Sequence, residues 1–422
     1  MRFIVHLDYF AFYLLLFSLP FGKSIFVPIL FVWLCAVFLS YFIKHDYSFD
    51  RFKELVVLLI LFYCLQSIGL VSSANTRGAF FDMQLKLSLL LVPLLYPYGR
   101  KMYESSRSTF LWTFVVGCGA ASFYYFGYAT YRSLSLINGV LVFNPRIPVY
   151  GGPSYFLSHD LSYLIHPSYL ALYHLVALLI IGLEFNSWWT KRIAIKIVVS
   201  FIALLIFASL IMLQSRAGIL GFGLLITGWL FFLTFVKRKY ILGLGVIVAI
   251  SGFILFVFTQ FNRLAYTAKS LENSVNIGIN DSNKIDGTNI RFWIWKSAFS
   301  VIENHPIIGV GTGDVRDELQ KQYEKRGMSQ AVIFRYNAHN QYLETWLGTG
   351  IFGLFALLAM LFVPLWMGVK KRDWLVVGFL SLCSMSFMFE SMLNSIAGVG
   401  FFAIFYTILV SNLAVNNAKP LS

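Results

Sequence analysis

Charge is what this chain lacks most. Only 12% of its 422 residues are Asp, Glu, Lys or Arg, against 58% that are hydrophobic. A soluble domain of this length needs far more charge to cover its surface, so the composition excludes a water-soluble globular class and points to an integral membrane protein. Cysteine is scarce too. Cys35, Cys64, Cys118 and Cys383 each sit inside an apolar run, with no two close in sequence. That excludes a CxxC metal site and a disulfide framework and leaves small buried hydrophobes as the reading. No internal repeat is visible, so the inverted-repeat signature of many transporters is missing. No cleavable signal peptide is expected, because the stretch before Asp8 is short and its apolar run continues into further spans.

What is present is mostly basic and ordered. The formal net charge is +14, and its placement decides its meaning. Lys44/Arg51/Lys53, Arg100/Lys101/Arg107, Lys191/Arg192/Lys196, Lys237/Arg238/Lys239 and Lys370/Lys371/Arg372 lie in short loops on alternate turns of the chain. This is the positive-inside pattern of a membrane protein, not a nucleic-acid footprint, and no nucleic-acid partner is expected. At about 20 apolar residues per crossing, twelve spans are predicted: 8–21, 24–43, 53–72, 80–97, 108–130, 167–184, 193–213, 217–236, 240–260, 340–368, 374–391 and 396–413. The basic clusters put both termini in the cytoplasm and the loops after odd-numbered spans on the outer side. The predicted fold class is an all-α integral membrane protein of about twelve transmembrane helices with a large extracytoplasmic loop containing short helices. Its parts are residues 1–260 (spans one to nine), 261–339 (the loop domain) and 340–422 (spans ten to twelve and a cytoplasmic tail).

The loop domain gathers the polar groups that the rest of the chain lacks. Residues 261–338 hold ten Lys/Arg and eight Asp/Glu, so this is no generic polybasic anchor. Leu271 to Thr288 is rich in Asn, Ser, Asp and Gly and reads as a loop. Asn289 to Glu303 has helical spacing, with Phe292, Trp295 and Phe299 as one apolar face. His305-Pro306 ends that helix, Gly309, Gly311 and Gly313 make a compact turn, and Asp314 can cap a second helix running to about Arg326. Trp293 and Trp295 suit a membrane interface. The other long outer loop, 131–166, holds Arg132, Arg146, His159, Asp160 and His166, and Pro167 suits the first turn of the following helix.

Four motifs in this order carry a resemblance. They are Ser215-Arg216-Ala-Gly218; Arg291-Phe-Trp-Ile-Trp295; Glu303-Asn-His-Pro-Ile-Ile-Gly309-Val-Gly311-Thr-Gly313; and His339-Asn-Gln-Tyr-Leu-Glu344 continuing to Gly353. Together they resemble the O-antigen ligase/polymerase family, bacterial inner-membrane glycosyltransferases of the GT-C type. The resemblance is specific over about 215–400. It implies a glycan carried on an undecaprenyl diphosphate donor and passed to a hydroxyl at the periplasmic face of the inner membrane. The acceptor it implies is lipid A–core in a ligase, a second lipid-linked glycan in a polymerase, or a protein Ser or Thr in a related branch. Ligase is favoured over polymerase. Apart from these partners and membrane lipids, no cofactor is expected.

The chemistry asks for a cation to meet the charge that grows on a departing diphosphate. No Asp-x-Asp metal motif is present. Asp281-x-Asn283-x-x-Asp286-Gly287 is out of step with a calcium loop and lacks its final Glu, so no metal is expected. Arginine remains, since it stays charged and grips two phosphate oxygens at once. By position, Arg216 is either a snorkelling residue that sets a span end or a functional cation. Arg291 opens a helix, where its charge opposes the dipole unless an anion is near. The resemblance favours donor diphosphate binding for both. His339, by itself an ordinary capping histidine, becomes through the same resemblance the expected catalytic base. Asn340, Tyr342, Glu344, Glu390, Arg146, His166 and Tyr169 are expected as possible support, and Glu390, near the outer end of the eleventh span, could pair with an arginine or with His339. The competing class is a transporter or flippase of lipid-linked sugars. It would place charge or broken helices at mid-membrane, whereas here polar groups gather at one face.

Overall fold

A computed structural model of the chain describes residues 2–44, 55–95, 107–147, 154–236, 251 and 289–415. The expected ninth span, 240–260, lies outside the described residues apart from residue 251. Arg263 and the Asp281–Gly287 loop lie outside them too. Apolar helices dominate: α1 (Arg2–Ser18), α2 (Lys23–Lys44), α3 (Val57–Val71), α4 (Thr76–Lys86), α5 (Ser88–Leu95) and α6 (Arg107–Ser133) come first. After a short hairpin, β1 (Leu134–Ile137) and β2 (Val140–Phe143), come α7 (Ser158–Leu161), α8 (Pro167–Leu183), α9 (Phe185–Trp189), α10 (Ile193–Met212) and α11 (Arg216–Phe231). Then follow α12 (Asn289–Asn304), α13 (Val315–Lys325), α14 (Ser329–Ile333), α15 (Gln341–Lys371), α16 (Trp374–Phe389) and α17 (Ile396–Val415). Among the described residues, six helical segments are long and apolar enough to cross a membrane, and five more are shorter apolar helices. The chain is a mostly helical, multi-pass type of protein.

Two cores hold it together. The larger lies in the bundle, where Phe114, Tyr173, Phe379, Phe401 and Phe405 interlock with ring centroids 4.3–6.2 Å apart. Edge and offset contacts of this kind add to simple burial. The smaller joins Ile290, Ile294, Ala298 and Val301 of α12 to Leu319 and Tyr323 of α13, and to Leu343 and Leu347 of α15. Phe292 and Phe299, on the apolar face expected from the spacing, are 42% and 47% exposed, and the stripe of α12 packed on protein is the one starting at Ile290. Both stripes are apolar, and periodicity alone does not say which one faces protein.

The long apolar run after His339 is not one continuous helix. Gly350 breaks α15 with φ 65° and ψ −163°, a conformation only glycine adopts readily. The break receives the backbone of the glycine turn: Val310 N donates to Leu347 O (2.7 Å), Gly311 N to Gly348 O (3.1 Å) and Ile351 N to Pro306 O (3.1 Å). The carbonyls freed at the break are thereby paired, as a low-dielectric setting requires. A side chain at Gly350 would collide with the Ile307 carbonyl. The same turn grips the α3–α4 connection. Gly313 N donates to Ser73 Oγ (3.0 Å), and Asp314 accepts from Ala74 N (2.6 Å) and Asn75 N (2.7 Å). Asp314 does stand at the start of α13, but its carboxylate makes no cap hydrogen bond to that helix. It is spent on the α3–α4 turn instead.

Polar groups also occur deeper than the sequence suggested. Lys86 is 4% exposed and bonds Asp82 (2.6 Å) and Gln66 Oε1 (3.0 Å), while Gln66 Nε2 donates to Thr349 Oγ1 (3.1 Å). Lys196 stacks instead over Trp189. The predicted all-α class is modified by the β1–β2 hairpin in the 131–166 loop, turned by Asn138-Gly139, both at positive φ. Asn-Gly flanked by apolar residues is a strong hairpin signal that the span-counting reading passed over. The turns at 72–76, 158–166, 214–215, 336–340 and 390–395 gather with α12–α14 around one end of the bundle, while Arg107 meets Asp373 elsewhere (3.3 Å).

The break at Gly350 makes a direct test. Gly350→Ala is expected to lower the thermal midpoint in detergent by several degrees, since strained backbone costs about 1–3 kcal/mol before the steric clash is added. Gly127→Ala, in an α6 position with open space beside it, is expected to be neutral or mildly stabilising. Equal midpoints for the two variants would contradict the account of the break.

Candidate active site

Three helices begin at one cleft. His166 caps α8, its Nδ1 accepting from Ser168 N (3.3 Å), with Pro167 in the first turn. Ser215 caps α11, its Oγ accepting from Gly218 N (3.2 Å), so that Arg216 is the first residue of that helix. Arg291 lies in the opening turn of α12. Pro167, Ser168, Ser215, Arg216 and Arg291 all line a single cleft of about 220 Å³, together with Ser158, His159 and Gln214. Each helix N-terminus carries partial positive charge, although α8 has no free N–H to offer, since Pro167 lacks one and Ser168, Tyr169 and Leu170 donate to His166. With two guanidinium-bearing residues added, the cleft is suited to an anion with several oxygens.

Glu390 closes one wall. It follows the last residue of α16 in extended conformation. Its Oε1 accepts from Arg291 Nη2 (2.7 Å) and Ser168 Oγ (3.3 Å), and its Oε2 lies 3.1 Å from His339 Nδ1. Its side chain is 8% exposed. Burial alone would raise its pKa, but the His339 hydrogen bond and the charges of Arg291, His339 and His166 win and bring it down to about 2. An ionised carboxylate only accepts. The shared proton therefore sits on His339 Nδ1, which leaves Nε2 as the ring's other working atom. His166 goes the opposite way. The surrounding protein disfavours its charged form, Glu390 opposes that, and nearby His159, His339 and Arg291 add to it, so its pKa falls to about 4. It is a neutral imidazole at pH 7.

The backbone that presents His339 is itself over-determined. His339 has φ 45°, a left-handed conformation uncommon outside glycine. Asn340 caps α15 by accepting from Tyr342 N (2.9 Å) and Leu343 N (3.1 Å), and its own N–H donates to Ser391 Oγ (3.3 Å). Buried Glu344 accepts from Ala338 N (2.8 Å) and Asn394 Nδ2 (2.7 Å). Gln341 Oε1 accepts from Leu393 N (2.7 Å). Residues on both sides of His339 are thus pinned to the 391–394 turn next to Glu390.

The structure sorts the residues named from sequence. Arg216, Arg291, Glu390 and His166 line the cleft; His339 reaches its wall through Glu390 and is not itself among the lining residues. Asn340 and Glu344 position the chain around His339. Tyr342 is turned away, its hydroxyl on Ser384 O (2.9 Å), and Tyr169 stands behind His166 with ring centroids 5.7 Å apart. Arg146 is exposed, its backbone in a bridge with Ser154, and is not among the cleft residues. A carboxylate, Glu390, stands between Arg291 and the His339 imidazole. Sequence reasoning passed over Ser158, His159, Ser168 and Gln214. The His-Pro-Ser start of α8 and the φ of 48° at Gln214 belong to the helix-entry geometry, and only the first leaves a trace in sequence.

With this geometry in view, two comparisons are informative. Residues 201–358, which include Arg216, Arg291 and His339, match the family model described as O-Antigen ligase. The chain is also 25% identical over 161 residues to an uncharacterized protein of Haemophilus influenzae, a stretch covering 38% of this chain and 40% of that protein. The match therefore spans well under half of that relative's length.

The Glu390 environment gives a pH test. A carboxyl held below its unfolded value of 4.5 contributes stability that is complete above that pH and is lost as pH falls toward 2. Unfolding midpoints of the protein are expected to drop over that window more steeply than those of Glu390→Gln. Parallel curves would show that Glu390 is not held by Arg291 and His339.

Proposed function

We propose that this chain, whose residues 201–358 match the O-antigen ligase family model, transfers a glycan from a polyprenyl (undecaprenyl) diphosphate carrier to a hydroxyl of lipid A–core. In this reading the reaction takes place at the periplasmic face of the bacterial inner membrane, with twelve spans and both termini in the cytoplasm. The observation that carries the reading is the cleft where three helix N-termini, Arg216 and Arg291 converge beside the Glu390–His339 pair.

The steps follow from the groups present. The diphosphate of the donor lies in the cleft against Arg216, Arg291 and the positive ends of the helix dipoles. Arg291 gives one Nη2 hydrogen to Glu390, and a guanidinium has five to offer. The acceptor hydroxyl approaches the anomeric carbon from the opposite face and yields its proton to His339 Nε2 as the new C–O bond forms. The bond from the anomeric carbon to the phosphate oxygen breaks with its electron pair going to the diphosphate. The guanidinium groups meet that charge, which a metal does in many other glycosyltransferases. One displacement inverts the anomeric centre. Glu390 keeps the imidazole in the tautomer this requires, in the way a buried carboxylate orients a catalytic histidine elsewhere. Its ionised oxygens also stabilise the imidazolium that results.

Reconstitution with a polyprenyl-diphosphate glycan tests the proposal, with lipid A–core and a second lipid-linked glycan offered separately. Glycosylated lipid A–core is the expected product; extension of the lipid-linked glycan instead would make the chain a polymerase. In the same assay His339→Ala is expected to lower transfer by at least about 100-fold, the usual weight of a general base, with the protein still folded and inserted. Substantial remaining activity would remove the base assignment. Arg216→Lys keeps the charge but loses the two-pronged grip and is expected to be severely impaired. Wild-type turnover by that variant would argue against bidentate phosphate contact.

A further inference from the structure

Among the described residues the β1–β2 hairpin meets little protein, Phe143 touching the Phe156 ring (centroids 6.3 Å apart). Its strands pair Leu134 with Phe143 and Leu136 with Leu141, and these four side chains share one face because side chains alternate along a strand. They are exposed by 39%, 55%, 73% and 64% respectively. On the other face Ile137 and Val140 are 53% and 63% exposed. Between Ser133 and Asn144 there is no charged residue. A two-stranded hairpin of this kind is marginal in water, and so much uncharged apolar surface calls for a cover.

Three observations name the cover. The hairpin continues directly from α6, which is one of the segments able to cross a membrane. The outward face of α6 is apolar up to its last turns, with Val116 44%, Phe123 66% and Tyr131 73% exposed. At 27 residues, α6 is about 40 Å long, more than the roughly 30 Å hydrocarbon core, so its end stands at headgroup level. There Tyr124, Tyr128, Tyr131 and Tyr163 cluster, with centroids 4.4–6.4 Å apart, an aromatic belt typical of the lipid–water boundary. Arg132 lies over the Tyr155 ring (4.5 Å), and Arg146 follows the second strand, so cations flank the apolar stretch where lipid phosphates lie.

We propose that the hairpin lies flat in the membrane boundary on the site's side, with Leu134, Leu136, Leu141 and Phe143 set among the acyl chains. It does not enter the hydrocarbon centre, because its outer strand edges carry unpaired backbone groups that need water or headgroups. The segment that leaves the hairpin returns to the protein through the Arg146–Ser154 bridge and leads to Ser158 and His159 in the cleft wall. The hairpin thus anchors that wall to the leaflet from which a lipid-linked substrate would arrive. The proposal rests on α6 spanning the membrane and not on the transfer reaction.

The test uses the full-length protein in lipid nanodiscs. Leu136→Cys and, separately, Leu141→Cys carry an environment-sensitive fluorophore, and the signal of identically treated unsubstituted protein is subtracted for the four native cysteines. Both probes are expected to emit at blue-shifted wavelengths and to lose roughly half their intensity or more to lipids brominated near the headgroup end of the acyl chain, about 5–10 Å below the surface. Aqueous iodide should leave them unaffected. Strong iodide quenching would show a hairpin standing in water. Protection from both quenchers would show that protein, such as a second copy of this chain, covers it. Either result overturns the proposal.

Discussion

The site depends on one carboxylate doing two jobs. Glu390 holds Arg291 with one oxygen and His339 with the other, in a place where its own side chain is nearly closed off from water. A buried carboxylate without partners would protonate or destabilise the fold. Here the partners are the groups proposed to bind the donor and activate the acceptor. The constraint runs both ways. Arg291 and His339 come from opposite ends of the α12–α14 lobe, and Glu390 fixes the distance between them from a third element. Removing it would leave an arginine without its acceptor and an imidazole without its orienting partner.

The surrounding architecture explains how such charges can stand at a membrane boundary. Ionisable groups are costly in lipid and less so near its edge. The helices that carry Arg216, Arg291 and His166 all start at this level, and their N-termini favour a bound anion. In the resting protein Glu390 offsets part of the cleft's positive charge through its pairing with Arg291. The proposed donor would complete the neutralisation. The lobe that brings Arg291 and His339 into place is itself fastened through backbone contacts. The 306–313 segment fills the break in α15, and Asp314 clamps the α3–α4 turn. These contacts do not depend on any ligand, so the cleft is largely preformed, which suits charge stabilisation without reorganisation.

Much of this was legible in the sequence, and the failures have physical causes. Apolar run length located the helices because lipid imposes it. Arg216, Arg291 and His339 were singled out through the family resemblance, since each alone also has an ordinary reading as a span-end, helix-start or capping residue. Glu390 was seen as a possible partner for an arginine or for His339, but that it holds both depends on a contact spanning 99 and 51 residues, which no local pattern encodes. The break at Gly350 escaped because a glycine within an apolar run looks like any other small residue until something is seen to enter beside it. Arg146 and Tyr342, expected as possible support, stand away from the cleft lining: Arg146 is exposed and the Tyr342 hydroxyl bonds Ser384.

The most direct test of the account is a double-mutant cycle between Glu390 and His339, read as the rate of glycan transfer in reconstituted membranes. The single substitutions are Glu390→Gln and His339→Ala, and the third variant combines them. If Glu390 acts largely by orienting the imidazole, the combined variant should be at least about tenfold faster than the product of the two single losses implies, since residues in one network do not add. A combined loss equal to that product would mean that Glu390 and His339 act independently, and would contradict the account.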